Sequence, residues 1–415
     1  MINRQSVTLS RFVSLENIGI FLISILLSIA CIYSLKLISF LMPLISILVV
    51  RSQGGIRNIS LTVTSPIVIL FLLLIWVGMT TFWTSYPIPA LKTFILLCSI
   101  LLFSILLISA LTKANPELID RGFKILMISG FFLIVLITIQ LCADIFYIKL
   151  FKGSSRIYMM KPTGSILGLT VFVGSGFLWI YGFRILSLFN WFLLIIFIYL
   201  TLSQTAFYGV LFASLIFILS YAMPFWITRF SMISSYTFLI LSPLLYTYVI
   251  SPDTLVNVHQ IKGLLNRSIF SRVLAWKYYS EKFFEQPFLG WGVESARFLP
   301  TEPELAPGYI NLLHPHNNSI QVYSELGIIG GILFALFFSS LFWLIEKHVK
   351  DRLSVAVCNA TLAFGFFAAE VTHNIWRSYW LSLVALVTGL LILFLKAREA
   401  QLRVEADHLK QSPVL

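Results

Sequence analysis

"IGIFLISILLSIACIYSLKLISFLMPLISILVV", Ile18 to Val50, contains a single charged residue, Lys36. Its apolar residues run on without the every-second-residue alternation that a membrane barrel strand needs. About twenty such residues in a helix cross a hydrocarbon core of about 30 Å. In lipid the helix also bonds all of its own peptide groups. The stretch therefore reads as two spans, 18–34 and 36–50, turning near Lys36. The same signature recurs near 65–82, 93–111, 125–143, 163–183, 187–202, 205–223, 232–250, 322–345, 354–371 and 378–396. The expected fold is an all-α membrane protein with about twelve transmembrane helices. The whole chain, 415 residues, is 59% hydrophobic and 11% charged, with a mean hydropathy of +0.93, which excludes a water-soluble globule.

Prolines punctuate the runs. Pro66, Pro87, Pro89, Pro116, Pro162, Pro224 and Pro243 fall at or near predicted ends, where a missing backbone donor costs least. The polar, basic segment Met1–Asn17 has no small-residue cleavage site before the first run, so a retained span with a cytoplasmic N-terminus is expected. That orientation puts Arg51, Arg57, Lys113, Arg121, Arg184, Arg229, Lys347 and Lys396 in or beside short cytoplasmic connections, as the positive-inside rule requires. All four cysteines, Cys31, Cys98, Cys142 and Cys358, lie inside predicted spans and read as small core residues.

The chain divides into a bundle of about nine spans (1–250), one large external loop (251–321), three further spans (322–396) and a cytoplasmic tail (397–415). A shorter external loop, 144–162, breaks the charge rule with Lys149, Lys152, Arg156 and Lys161. Such cations face either an anionic ligand or lipid headgroups, and Arg156 is the stronger candidate for a ligand. Within the large loop, "SIFSRVLAWKYYSEKFFEQP" predicts an amphipathic interfacial helix over about 269–285, capped by Ser268 and stopped by Pro287. Arg272, Trp276, Tyr279 and Phe283 recur on one face of it.

Chemistry concentrates in "HPHNNSIQVYSELGIIGG", His314 to Gly331. Pro315 biases His314 to an extended backbone, and Asn317 or Asn318 can cap the helix that follows. His314 and His316 have no third His, Cys or carboxylate at a ligand spacing, so no metal site is expected. No Walker-type glycine loop is present, and neither a cofactor nor a nucleic-acid partner is expected. A neutral imidazole at the membrane surface can take a proton from an attacking alcohol, and neighbouring arginines would keep it neutral. The alternative is two polar residues that merely cap a helix. Arginine grips phosphate bidentately, and a diphosphate held this way makes a good leaving group.

"RVLAWKYYSEKFFEQPFLGWG" followed by "HPHNNSIQVYSELGIIGG" resembles the O-antigen ligase family and its polymerase relatives. The shared features are a loop-helix arginine and tryptophan, a Pro-x-x-Gly-x-Gly turn, then Pro-His-Asn before a helix with Glu-x-Gly-x-x-Gly. The resemblance covers roughly 156–396. It implies a metal-independent, inverting glycosyltransferase of the bacterial inner membrane whose active site faces the periplasm. The donor would be a glycan on undecaprenyl diphosphate, and the acceptor lipid A–core or a growing glycan. Carried over, His316 is the general base, Arg272 engages the diphosphate, and Arg156 is the arginine before the sixth span. Lys161, Asn317 and Gln204 join the candidate substrate-binding set, with His314 in support. Where the family carries Ser-Arg, this chain has "LTLSQTAFYG", with Gln204 in the arginine's place. Arg156, Lys161 or another cation would then supply the charge. A polymerase shares the same donor chemistry. A transporter or flippase would instead show internal repeats and mid-membrane charges, and neither is evident.

Overall fold

In the computed structural model, which describes residues 15–58, 63–151, 161–250, 267–299 and 314–411, a helix forms at every predicted run. The order is α1 (Leu15–Tyr33), α2 (Lys36–Ser52), α3 (Ser65–Thr80), α4 (Pro87–Leu111), α5 (Pro116–Phe151), α6 (Lys161–Ile180), α7 (Arg184–Leu200), α8 (Gln204–Ala222), α9 (Pro224–Leu244), α10 (Arg267–Glu285), α11 (Asn318–His348), α12 (Arg352–Val371) and α13 (Ser378–Gln411). No strand occurs among the described residues. Eight of these helices are long and apolar enough to cross a membrane unaided: α4, α5, α6, α8, α9, α11, α12 and α13. The apolar parts of α1, α3 and α7 are shorter, and α2 has a cation near each end. At 1.5 Å per residue, seventeen residues reach only about 26 Å, so a crossing there needs a locally thinner bilayer.

Several boundaries differ from the sequence reading. Helix α5 runs on to Phe151 and α6 starts at Lys161, so Lys149 and Lys161 belong to helices rather than to a loop. Lys152 and Arg156 lie outside the described residues. Helix α10 begins at Arg267, which puts Ser268 inside it and not at its cap. Pro243 is interior to α9 and is followed by a π-helical turn, Leu245–Val249, as expected where a proline removes a backbone donor. Helix α13 continues unbroken to Gln411, well past its apolar part. Cys31 and Cys358 are buried, whereas Cys98 is half-buried and Cys142 is exposed on the bundle surface.

Short connections make successive helices alternate in direction. Helices α6 and α12 are central, with 78% and 72% of their apolar windows buried, against 11% for α5. Phe177, Phe364 and Phe394 fill the space between α6, α12 and α13. A second core, with Leu73, Leu97, Leu239 and Phe334, joins α3, α4, α9 and α11. Phe40, Ile185 and Trp226 are exposed on the outside, as a lipid-facing surface requires. Small polar residues tie helices together: the Ser28 hydroxyl donates to the Ser129 carbonyl at 2.9 Å, linking α1 to α5.

Helix α10 packs its aromatic face on protein rather than lying free at the interface. Tyr279 is fully buried and donates to the Ala296 carbonyl at 2.8 Å, Trp276 meets Tyr246 at 4.9 Å between ring centroids, and Phe283 meets Tyr323 at 5.0 Å. The end of α9 and the first turns of α11 supply this partner surface. Alternation brings the starts of α6, α8, α11 and α13 to this same end of the bundle.

Candidate active site at one end of the bundle

The turn His314–Asn317 is fixed before any substrate arrives. Asn317 has an extended backbone and caps α11, its side-chain oxygen accepting from the Ile320 N–H at 2.9 Å and from the Ser319 hydroxyl at 2.8 Å. Its amide nitrogen donates to the Glu370 carbonyl at 3.0 Å and to the Tyr246 hydroxyl at 2.9 Å. Fully buried and bonded at both ends, Asn317 is occupied in holding the turn. His316 sits in the left-handed region, at φ 55°, where residues other than glycine are uncommon. Such strain persists only where the surroundings enforce it, and the cap on one side and a hydrogen bond on the other do so.

That hydrogen bond sets the tautomer of His316. Its Nδ1 lies 2.9 Å from the Thr372 carbonyl oxygen, which can only accept, so Nδ1 carries the proton and Nε2 keeps its lone pair. The backbone N–H of His316 donates to His314 Nδ1 at 3.1 Å, which leaves the His314 proton on Nε2. The two rings lie 4.0 Å apart. Burial lowers the His316 pKa below the usual imidazole value; the Thr372 carbonyl opposes this, and the Arg272 charge adds to it. Burial, with His316, Arg377, His373 and Arg297 nearby, pushes His314 down to about 3. Both rings are neutral at pH 7, and of the two only His316 combines a fixed orientation with an Nε2 lone pair that has no partner among the described residues.

Arg272, on the first turns of α10, is half-buried and donates from Nη1 to the Thr205 hydroxyl at 3.4 Å. Among the described residues no carboxylate pairs with it. Thr205 lies in the first turn of α8, next to exposed Gln204, so the guanidinium meets that helix at its positive end. Lys161, also exposed, opens α6. Gly164 lets α6 approach so closely that a Cβ there would lie 2.7 Å from the Thr201 hydroxyl and 3.0 Å from Ser203. Lys161 and Gln204 thus begin two adjoining helices, without a direct bond to His316 or Arg272. Arg156 lies outside the described residues.

The segment between α12 and α13 was not singled out by sequence reasoning. Thr372 orients His316. His373, buried, stacks on Trp380 at 3.9 Å and has Nε2 3.3 Å from the Ser165 hydroxyl. Burial, with His316 nearby, pushes it down to about 3. Glu370 accepts from the Ser319 hydroxyl at 2.6 Å. The available signal was "EVTHNIWR", Glu370–Arg377, a polar cluster at the end of an apolar run. Among the described residues no group of three or more His, Cys, Asp and Glu side chains is placed to share a metal ion.

The turn 286–299 locks into a break in α11. Gly327 adopts φ 65°, ψ −166°, a conformation essentially reserved for glycine. The peptide groups around the break bond to the turn instead: Ile328 N–H to the Pro287 carbonyl at 2.8 Å, Trp291 N–H to Ser324 at 3.0 Å and Gly292 N–H to Glu325 at 2.7 Å. The Glu325 carboxylate, fully buried, accepts from the Glu294 and Ala296 N–H groups and from the Gln321 and Trp376 side chains. One side chain thus joins the turn, α11 and the segment that orients His316. The turn also reaches α3 and α4: Val293 N–H donates to the Thr80 hydroxyl at 3.1 Å, and Thr93 donates to Glu294 at 2.9 Å.

Comparison with known proteins bears on this end of the molecule. Residues 188–335, which include Arg272, the 286–299 turn and His316, match the family described as O-antigen ligase. The chain is 25% identical to a protein of Rickettsia prowazekii provisionally named a polysaccharide ligase, over 74% of this chain and 75% of that one. A Rickettsia conorii protein of the same provisional name is 27% identical over 60% of this chain and 61% of its own. A Rickettsia typhi protein is 25% identical over 75% and 76%.

Proposed function

We propose that this chain, a member of the O-antigen ligase family, is a glycan ligase of the bacterial inner membrane. It moves a glycan from undecaprenyl diphosphate to a lipid A–core acceptor, with inversion and without a metal. The observation that carries the reading is the His316 imidazole: Nδ1 held by the Thr372 carbonyl, Nε2 free, and the Arg272 guanidinium beside it. In the reaction, Nε2 takes the proton of an acceptor hydroxyl as that oxygen attacks the anomeric carbon. The bond from that carbon to the diphosphate oxygen breaks on the opposite face, and Arg272 stabilises the charge that develops on the departing oxygen. Protonated His316 then returns its proton to solvent. Asn317 and His314 hold the base in place, and the start of α8, with Gln204 and Thr205, lines the diphosphate side.

The topology proposed with this reading has twelve spans and puts the site at the periplasmic surface, with Arg121, Arg229, Lys347 and Lys396 at the cytoplasmic end. An apolar cavity of about 690 Å³, lined by Ser28, Cys31, Leu126, Ile166 and Leu390 among others, extends from the middle of the bundle to Ser52 and Arg121 at the end away from His316. The direct test is transfer by the purified protein from undecaprenyl-diphosphate glycan to lipid A–core, with and without a chelator. Transfer that survives chelation supports the reading. Elongation of the donor with lipid A–core ignored would make the protein a polymerase.

Two further results are expected. Arg272→Ala weakens donor binding by roughly ten- to a hundredfold, and Arg272→Lys recovers only part, because an ammonium loses the bidentate grip. Full activity in Arg272→Lys would show that charge alone is needed. The pH profile follows from His316. Only the neutral ring is a base, and its pKa lies below the ordinary value of about 6.5. The acid limb of kcat/KM therefore falls at a lower pH than an ordinary imidazole would give, with a plateau at neutral pH and above. Removing the Arg272 charge favours the imidazolium, so the acid limb of Arg272→Ala moves to higher pH. A limb that stays in place would mean that Arg272 does not act on His316.

A further inference from the structure

Among the described residues, Arg377 has no side-chain hydrogen-bond or ion-pair partner. The four residues before it, His373, Asn374, Ile375 and Trp376, are all buried, whereas Arg377 is exposed. Its backbone is held: the N–H donates to the Asn374 carbonyl at 3.2 Å, and its carbonyl accepts from Trp380 at 3.0 Å and Leu381 at 3.1 Å to start α13. Arg377 therefore starts from a fixed backbone on the same segment that orients His316 through Thr372 and reaches α6 through His373.

Several cations elsewhere in the bundle pair with carboxylates. Arg229 lies 2.7 Å from Glu346, Arg398 3.0 Å from Asp351, Arg121 2.7 Å from Glu117 and Arg297 2.7 Å from Glu294. Among the described residues no carboxylate pairs with Arg377. Of the buried acids at this end, Glu325 is committed to four donors, and Glu370 meets Ser319 through Oε2 while its Oε1 has no partner among the described residues. The field of Arg377 is felt at His314, as that of Arg272 is at His316. Two guanidiniums without carboxylates thus flank the imidazole pair, one from α10 and one from the start of α13. A single phosphate would be served by one fork, whereas two adjacent phosphates present enough oxygens for both.

We infer that Arg377 is a second substrate-binding cation of this site, gripping one phosphate of the donor's diphosphate from the His314 side while Arg272 holds the other. The inference rests on the donor proposed above. It divides the leaving-group charge between two forks and leaves Gln204 a hydrogen-bonding role at the rim.

The test is binding of undecaprenyl diphosphate, undecaprenyl monophosphate and neutral undecaprenol to the full chain in phosphatidylcholine nanodiscs, for wild type, Arg377→Ala and Arg377→Lys. Wild type is expected to prefer the diphosphate. Arg377→Ala should lose roughly tenfold for the diphosphate with much less change for the monophosphate, and Arg377→Lys should lie between. An unchanged thermal midpoint, expected for an exposed side chain, separates this loss from misfolding, and Arg377→Lys serves if the alanine variant is unstable. Unaltered diphosphate binding by Arg377→Ala would overturn the inference while leaving the donor reading intact, as would a rise confined to the acceptor KM. The same loss in Lys161→Ala alone would transfer the role to that residue. A wild type that binds diphosphate no better than undecaprenol would instead overturn the donor reading itself.

Discussion

His316→Ala abolishes transfer, with a loss of roughly 10²- to 10⁴-fold, and leaves donor binding nearly unchanged. The separation follows from the division of labour in the proposed reading, where the imidazole supplies a lone pair and Arg272 supplies charge to the donor from another helix. Because His316 has φ 55°, an alanine there also carries a left-handed backbone it disfavours. His316→Asn is the cleaner companion, since asparagine tolerates that conformation and keeps polarity without a usable base. Single-turnover transfer and donor binding, measured on both variants, check the prediction. Activity within tenfold of wild type in either would remove His316 from the role of base.

The second large effect is structural. Gly327→Ala is expected to cost about 3–5 kcal/mol and to give little folded protein, because two penalties coincide. The residue must adopt a backbone open to glycine, and a Cβ there would lie 2.2 Å from the Phe288 carbonyl oxygen, a backbone atom that cannot turn away. Gly290→Ala meets the other side of the same joint, with a Cβ 2.5 Å from the Glu325 backbone. Size-exclusion profiles and unfolding midpoints in detergent provide the check. By contrast, Gly130→Ala faces open space and should behave as wild type. A normally folded Gly327→Ala would show that the break in α11 can be straightened.

Local signals carried a large part of the fold. Apolar runs place the helices because burial in lipid is decided residue by residue, and Pro66, Pro87, Pro116 and Pro224 mark helix starts where the first turn needs no donor. Asn317 as a cap, and the turn that presents His316, are legible for the same reason: Pro315 and the cap act on their immediate neighbours. The partners of His316 were not legible. Thr372 is 56 residues further along the chain, and Arg272 meets Thr205 across 67 residues, so neither pairing leaves a pattern in either segment. The lengths of α5 and α13 escaped because polar residues can continue a helix beyond the lipid, where hydropathy no longer marks it. Arg377 carries no signal of its own in the sequence, and only the burial of the four residues before it makes its exposure informative.

The lock between the 286–299 turn and the first half of the bundle also constrains biosynthesis. Trp76 donates to the Leu326 carbonyl across 250 residues, Thr80 accepts from Val293 across 213 and Thr93 donates to Glu294 across 201. A ribosome adding about 5–20 residues per second inserts α3 and α4 some 10–50 s before these partners exist. During that interval two hydroxyls and an indole wait at the membrane surface with water or lipid headgroups as their only company. The end that carries His316 is therefore the last part of the molecule to mature, and a nascent chain halted before residue 290 is an inserted bundle without the turn that closes it.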